Sequence, residues 1–198
     1  MPLVRRPSPP SVPPTTPAAS LSEGTIDQRW AAARAAASRP GGVALLAAAL
    51  SQERDPLVLQ AIFTGLASAA TAESAAAVLP FIRSEEASLR AAALDALRAM
   101  PEASRSYIAD LLGDPEADVR LLSCELVRSL PEAEANRLLI ELLDSEADKN
   151  VAAAAVEVLA EIGRREALPV LARCAERFAG EPFLAFSIKV ATDRIGDP

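Results

Sequence analysis

A two-part unit, written along the chain roughly five times, constrains this sequence more than anything else in it. Arg29, Leu59, Arg90, Arg120, Ala152 and Ala185 form a reference column whose members recur at a nearly constant interval, the offset from Leu59 to Arg90 being typical. One position earlier stand Gln28, Val58, Leu89, Val119, Val151 and Leu184. Three positions later come Ala32, Ile62, Ala93, Ser123, Ala155 and Ile188, and seven later Ala36, Leu66, Leu97, Val127, Leu159 and Thr192. Offsets of this kind fall on one side of an α-helix, so each window predicts an amphipathic helix. Eleven positions after the reference column stand Pro40, Ala70, Pro101, Pro131, Gly163 and Gly196. Five of these six residues stop helices, which fixes the register independently of the apolar pattern.

A second set of apolar anchors, Leu50, Ile82, Leu112, Leu143 and Cys174, recurs at the same interval between those stops and the next start. Each period therefore predicts two helices. First helices are expected near 42–51, 72–83, 103–113, 133–144 and 166–178, and second helices near 26–39, 56–69, 87–100, 117–130, 149–162 and 182–195. Thr25 with Gln28 reads as a capping box at the start of the first of these. Pro80 should kink its helix, whereas Pro169 falls in a first turn that tolerates it. Aromatics make up only 4% of the chain, and its apolar share is mostly Ala, Leu and Val, which suits close helix approach. The expected class is all-α.

The second helices carry the pattern acid-x-x-apolar-Arg-x-x-Ala-x-x-x-Leu, clearest as Glu86, Leu89, Arg90, Ala93 and Leu97, and again as Glu116, Val119, Arg120, Ser123 and Val127. This pattern resembles the short HEAT-like repeats first associated with phycobilin lyases, and the resemblance covers residues 25–196. It implies an α-solenoid of about five helix pairs spanning 23–198, with second helices lining the inner curve. It also implies that the reference arginines reach acidic residues of adjacent repeats, as a ladder confined to the middle because Leu59, Ala152 and Ala185 depart from the pattern. Asp55, Glu86, Glu116 and Asp148 are placed to cap second helices and favour their dipoles. The resemblance says little about function, because such repeats serve scaffolds, transport receptors, assembly factors and a few enzymes.

Several chemistries are excluded by what the chain lacks. It has no histidine, so no His-based triad, His general base or His-ligated metal is available, and the iron motifs of deoxyhypusine hydroxylase, an enzyme of similar architecture, are missing. Its eight glycines never form a phosphate-binding fingerprint. Cys124 and Cys174 stand alone at apolar helix positions, which predicts buried thiols in a reducing compartment, with no cofactor. A net charge of -7 argues against tracking phosphates. Residues 1–22, with seven prolines in the first seventeen positions, are expected to form a disordered tail. Arg5 and Arg6 are followed by prolines and not by an apolar run, so no export signal is read there, no membrane span is found, and a cytoplasmic location is expected.

What remains points to a non-catalytic scaffold or assembly adaptor with a protein partner and no small-molecule ligand. Positions five and eight after the reference column should be exposed, and they set Asp95, Arg98, Glu125, Arg128 and Glu157 in a mixed-charge strip across the central repeats. These five are the partner-contact candidates; an ordinary solvated face with ion pairs three and four residues apart is the competing reading. Arg90 and Arg120 belong either to the same contact set or to the structural ladder. Trp30, Phe63 and Leu94 read as rim anchors or as packing between repeats, and Phe183 with Phe186 as a closing cap or an exposed patch. Two other classes stay open: an enzyme resembling phycobilin lyases, for which no catalytic residue can be nominated, and a nucleic-acid solenoid resembling HEAT-like DNA glycosylases, which the acidic balance disfavours.

Overall fold

A computed structural model describes residues 21–196. Eleven α-helices occupy that span: α1 (Ile26–Ala36), α2 (Gly42–Leu50), α3 (Pro56–Ala69), α4 (Ala72–Val78), α5 (Ala87–Arg98), α6 (Pro101–Leu112), α7 (Ala117–Val127), α8 (Glu132–Ser145), α9 (Lys149–Ile162), α10 (Leu168–Arg177) and α11 (Pro182–Gly196). Two short 3-10 turns, Leu79–Arg83 and Arg165–Ala167, complete it, and the described residues contain no strand. Residues 1–20 of the expected tail lie outside the described residues; Leu21, at its end, is half-buried and packs against the core.

The substantial contacts join only elements of the same or adjacent pairs. The second helices stack as α1 on α3, α3 on α5, α5 on α7, α7 on α9 and α9 on α11, while the first helices stack as α2, α4, α6, α8 and α10. This is the serial two-layer stack of an α-solenoid, five helix pairs behind a lone leading helix. The periodic columns explain it. Val58, Val119, Val151 and Leu184, then Ile62, Ala93, Ala155 and Ile188, then Leu66, Leu97, Val127 and Leu159 are all buried, as are the first-helix anchors Leu50, Ile82, Leu112, Leu143 and Cys174. Leu89 is half-buried, and only the two ends of the columns fail, since Gln28 and Thr192 are exposed.

Helix punctuation follows local chemistry. The Thr25 and Gln28 box is formed in both directions. Asp55 and Asp148 each accept two backbone N–H bonds at the starts of α3 and α9. Glu86 and Glu116 occupy the same position for α5 and α7 but make no capping bond. The extra methylene carries their carboxylates past the geometry that favours Asp, Asn and Ser there. Pro80 does more than kink: without its N–H the α-helical ladder stops at Val78 and the chain tightens into the 3-10 turn Leu79–Arg83. Phe81 of that turn meets Phe63 edge to face, ring centres 5.6 Å apart. Pro101 and Pro131 end one helix and begin the next: Pro101 is the first residue of α6, slightly earlier than expected, and Pro131 sits at the cap of α8.

Ala70, the one residue of the stop column that is neither Pro nor Gly, takes φ = 48°, in the left-handed region that glycine adopts freely. Replacing it should relieve that strain, so Ala70→Gly is expected to raise the free energy of unfolding by up to about 1 kcal/mol. By contrast Leu139→Ala, which empties a fully buried position of α8, should lower it by about 2–5 kcal/mol. Urea denaturation of the two variants beside the wild type checks both signs.

Candidate functional site

Each reference arginine is either structural or free to bind. Arg29 pairs with Glu53 through Nε at 2.8 Å and also donates to the carbonyl of Gly24. Arg120 grips Glu146 with two bonds of 2.8 Å and the carbonyls of Asp114 and Pro115 with Nη1. Arg90 donates only to carbonyls, those of Ser84 and Glu85. Each arginine therefore staples the loop ahead of its own helix, and two of the three also hold a carboxylate in the loop of the next repeat. The expected ladder changes in two ways: it includes the N-terminal Arg29, and Arg90 drops its acidic rung because Asp114 is taken by Arg83 of the preceding 3-10 turn, at 3.0 Å.

The acidic partners were missed in the sequence. Glu53, Asp114 and Glu146 each stand two residues before a helix-start carboxylate, and the corresponding position facing Leu59 is Ser84, which has no charge to offer. Their settings explain their chemistry. The Arg29 guanidinium, against some burial, holds the Glu53 carboxyl down at about 2, helped by the N–H groups of Asp55 and Arg54. Burial pushes Glu146 up, but the Arg120 guanidinium and the N–H groups of Asp148 and Ala147 more than offset it and leave it below the usual carboxylate range.

On the second-helix face Asp95, Arg98 and Glu157 are exposed as expected, whereas Glu125 and Arg128 are half-buried. Asp95 and Arg98 are exposed and only loosely paired, at 3.9 Å. Arg128 is largely enclosed: it lies 3.2 Å from Glu125 and 3.8 Å from Glu157, and it also bonds Glu161, a residue the sequence reading did not single out. One guanidinium thus sits among three carboxylates. Beside it α7, α9 and α11 enclose a groove of about 880 Å³, floored by Ala153, Ala154 and Ala160 and flanked by Phe183 and Phe186. Phe183 is 76% and Phe186 66% exposed, so they form a patch and not a closing cap. A smaller groove of about 580 Å³ lies between α3 and α5 over Leu59, Phe63 and Asp95. Phe63 is buried and Leu94 half-buried, both as inter-repeat packing, while Trp30 stays partly exposed under the Arg34 guanidinium, 4.9 Å from its ring centre.

Cys124 and Cys174 are buried and unbridged. Burial pushes the Cys124 thiol up to about 12 and raises Cys174 as well.

Residues 105–177 match the family model of HEAT repeats. Over that segment the chain carries HEAT repeats. In the solved structures, a chain from the study of microtubule plus-end tracking by XMAP215, CLIP-170 and EB1 superposes at TM-score 0.58 with 14% identity, covering 89% of this chain and 88% of that one. A designed armadillo repeat protein gives 0.42 with 17% identity over 89% and 97% of the two chains. The CpcE–CpcF complex of phycocyanin lyase from Nostoc sp. PCC7120 gives 0.41 with 16% identity over 98% and 100%. With so few identical residues, the first likeness is one of fold. No curated protein sequence matches the chain. No described helix is long and apolar enough to cross a membrane.

The staples and the strip are separable by stability. Arg120→Met leaves Glu146, whose side chain is 3% exposed, buried without its cation, and should cost about 3–5 kcal/mol. Arg98→Met should cost less than about 1 kcal/mol. The Glu53 carboxyl is held below its unfolded value near 4.5, so its contribution is complete above that pH and is lost as pH falls through the window from about 4.5 to about 2. Urea titrations of wild type and Glu53→Gln across that window should show a flatter acid limb for the variant.

Proposed function

We propose that this chain is a non-catalytic interaction scaffold, or assembly adaptor, that presents its second-helix face to a protein partner. Repeat folds of this kind are typical of protein-interaction scaffolds, and the observation that carries the reading is the exposed Phe183 and Phe186 pair beside a groove on that face. Large apolar groups rimmed by charge are what binding surfaces of stable partners offer. Asp95, Arg98, Glu125, Arg128 and Glu157 are the polar contacts in this reading. Arg90 and Arg120 are assigned to holding the loops and leave the contact set.

The non-catalytic reading is supported by the lack of histidine and by where the other reactive side chains of this face sit. Glu125, Glu157 and Glu161 surround Arg128, and both thiols are buried. Acidic residues at the groove favour a protein partner over nucleic acid, whose phosphates they would repel. Two unbridged thiols fit a reducing compartment such as the cytoplasm.

Affinity capture from the native host with the tagged full chain tests this. A protein retained at fixed stoichiometry by wild type, and by a variant changed on the first-helix face at Glu102→Lys and Glu141→Lys, should be lost with Phe183→Ala and Phe186→Ala. Retention of the same proteins by the phenylalanine variant, with its helix content unchanged by circular dichroism, contradicts the proposal.

A further inference from the structure

The phenylalanine pair is not explained by repeat packing. At the same two registers α5 carries Ser88 and Ala91, α7 Asp118 and Leu121, and α9 Asn150 and Ala153. Those helices stack without aromatic groups there. At the register of Phe183, Ser88, Asp118 and Asn150 remain exposed although a further repeat is stacked on each helix; at the register of Phe186, Ala91 is exposed while Leu121 and Ala153 are half-buried, so a following unit would leave Phe183 open and cover Phe186 only in part. Three residues apart on α11, the two rings project from one side of the helix over the alanine floor. Covering two large aromatic rings is a sizeable apolar gain for any partner that docks there.

Charge narrows what could cover them. The groove lining carries four glutamates, Glu125, Glu157, Glu161 and Glu181, against Lys149 and Arg194. Two of the cations nearby are paired, Arg128 being shared by Glu125, Glu157 and Glu161 and Lys149 binding Glu181 at 3.1 Å, while Arg194 donates to the carbonyl of Ala160 at 3.4 Å. Three carboxylates around one guanidinium leave a local excess of two negative charges on one wall, next to the aromatic pair on the other. Resting on the scaffold reading above, we propose that this groove takes a basic amphipathic segment of a partner protein, with large apolar side chains set against Phe183 and Phe186 and Lys or Arg side chains toward Glu157 and Glu161. An acidic segment would meet unopposed carboxylates, and like charges brought together at an interface are strongly disfavoured.

The probes are a fluorescent amphipathic peptide of leucine, phenylalanine and lysine, and its counterpart with glutamate for lysine, read by anisotropy against the full chain. The lysine peptide should bind and the glutamate peptide should not. Phe183→Ala with Phe186→Ala should weaken the lysine peptide roughly tenfold or more. Glu157→Lys with Glu161→Lys should weaken it by a similar factor, whereas Glu102→Lys with Glu141→Lys, the same change of net charge on the first-helix face, should move it less than about twofold. Equal loss in the two lysine variants would mean diffuse attraction and overturn the inference. So would equal binding of the two peptides, and if a captured partner still depended on the phenylalanines, the scaffold reading would survive that result. Sedimentation showing a dimer that Phe186→Asp turns into a monomer would assign the groove to a second copy and overturn the inference as well.

Discussion

Every helix pair in this molecule leaves one apolar side uncovered, and the next pair covers it. That nearest-neighbour burial is what the remaining features depend on. It sets the period, because the buried columns must return to the same face each time, and it sets the helix stops, because each pair must finish before the next begins. Ion pairs keep the same step: Arg83 to Asp114, Arg105 to Glu134, Glu132 to Arg164 and Lys149 to Glu181 join residues 31, 29, 32 and 32 positions apart. These are cross-links between consecutive copies. Their exposed members add little stability individually, but they fix which copy follows which.

Stacking also divides the charges into two populations. Glu53, Asp114 and Glu146, in the loops between first and second helices, are drawn inward to Arg29, Arg83 and Arg120, and Arg29, Arg90 and Arg120 also donate to the loop carbonyls of Gly24, Ser84 and Asp114. Arg177 does the same at the end of α8, donating to the carbonyls of Leu143, Asp144 and Glu146. Charges on the broad second-helix face are left to solvent or to a partner. Arg128 lies between these populations, enclosed by glutamates of its own and the next repeat, and its cluster gives the surface beside Phe183 and Phe186 a definite sign.

The architecture was legible because two independent signals, apolar columns and proline or glycine stops, agreed on one register. Helix ends came out within a few residues, and Pro169, the Thr25 box and the buried cysteines were read as they stand. The misses have local causes. Glu86 looks like a cap by charge, but its longer side chain bonds Ser88 instead. Arg90 looks like a rung, but a neighbouring arginine reached the acid first. The loop acids Glu53, Asp114 and Glu146 share a spacing that was visible, yet loop positions carry no periodic expectation of burial. Whether Phe183 and Phe186 close the fold or face solvent depends on the azimuth of α11, which a column analysis fixes only to within a turn's width.

Serial stacking can be measured directly with distances between spin labels on the second-helix face. The native thiols are buried and Cys124 is poorly ionised, so cysteines introduced at Gln60, Ala91, Ala153 and Phe186 would be labelled selectively. From Gln60 the distance should lengthen at each successive site, by roughly 8–10 Å per adjacent second helix before curvature. A distance that levels off or shortens by Phe186 would mean helices gathered around a single centre, and would contradict the account.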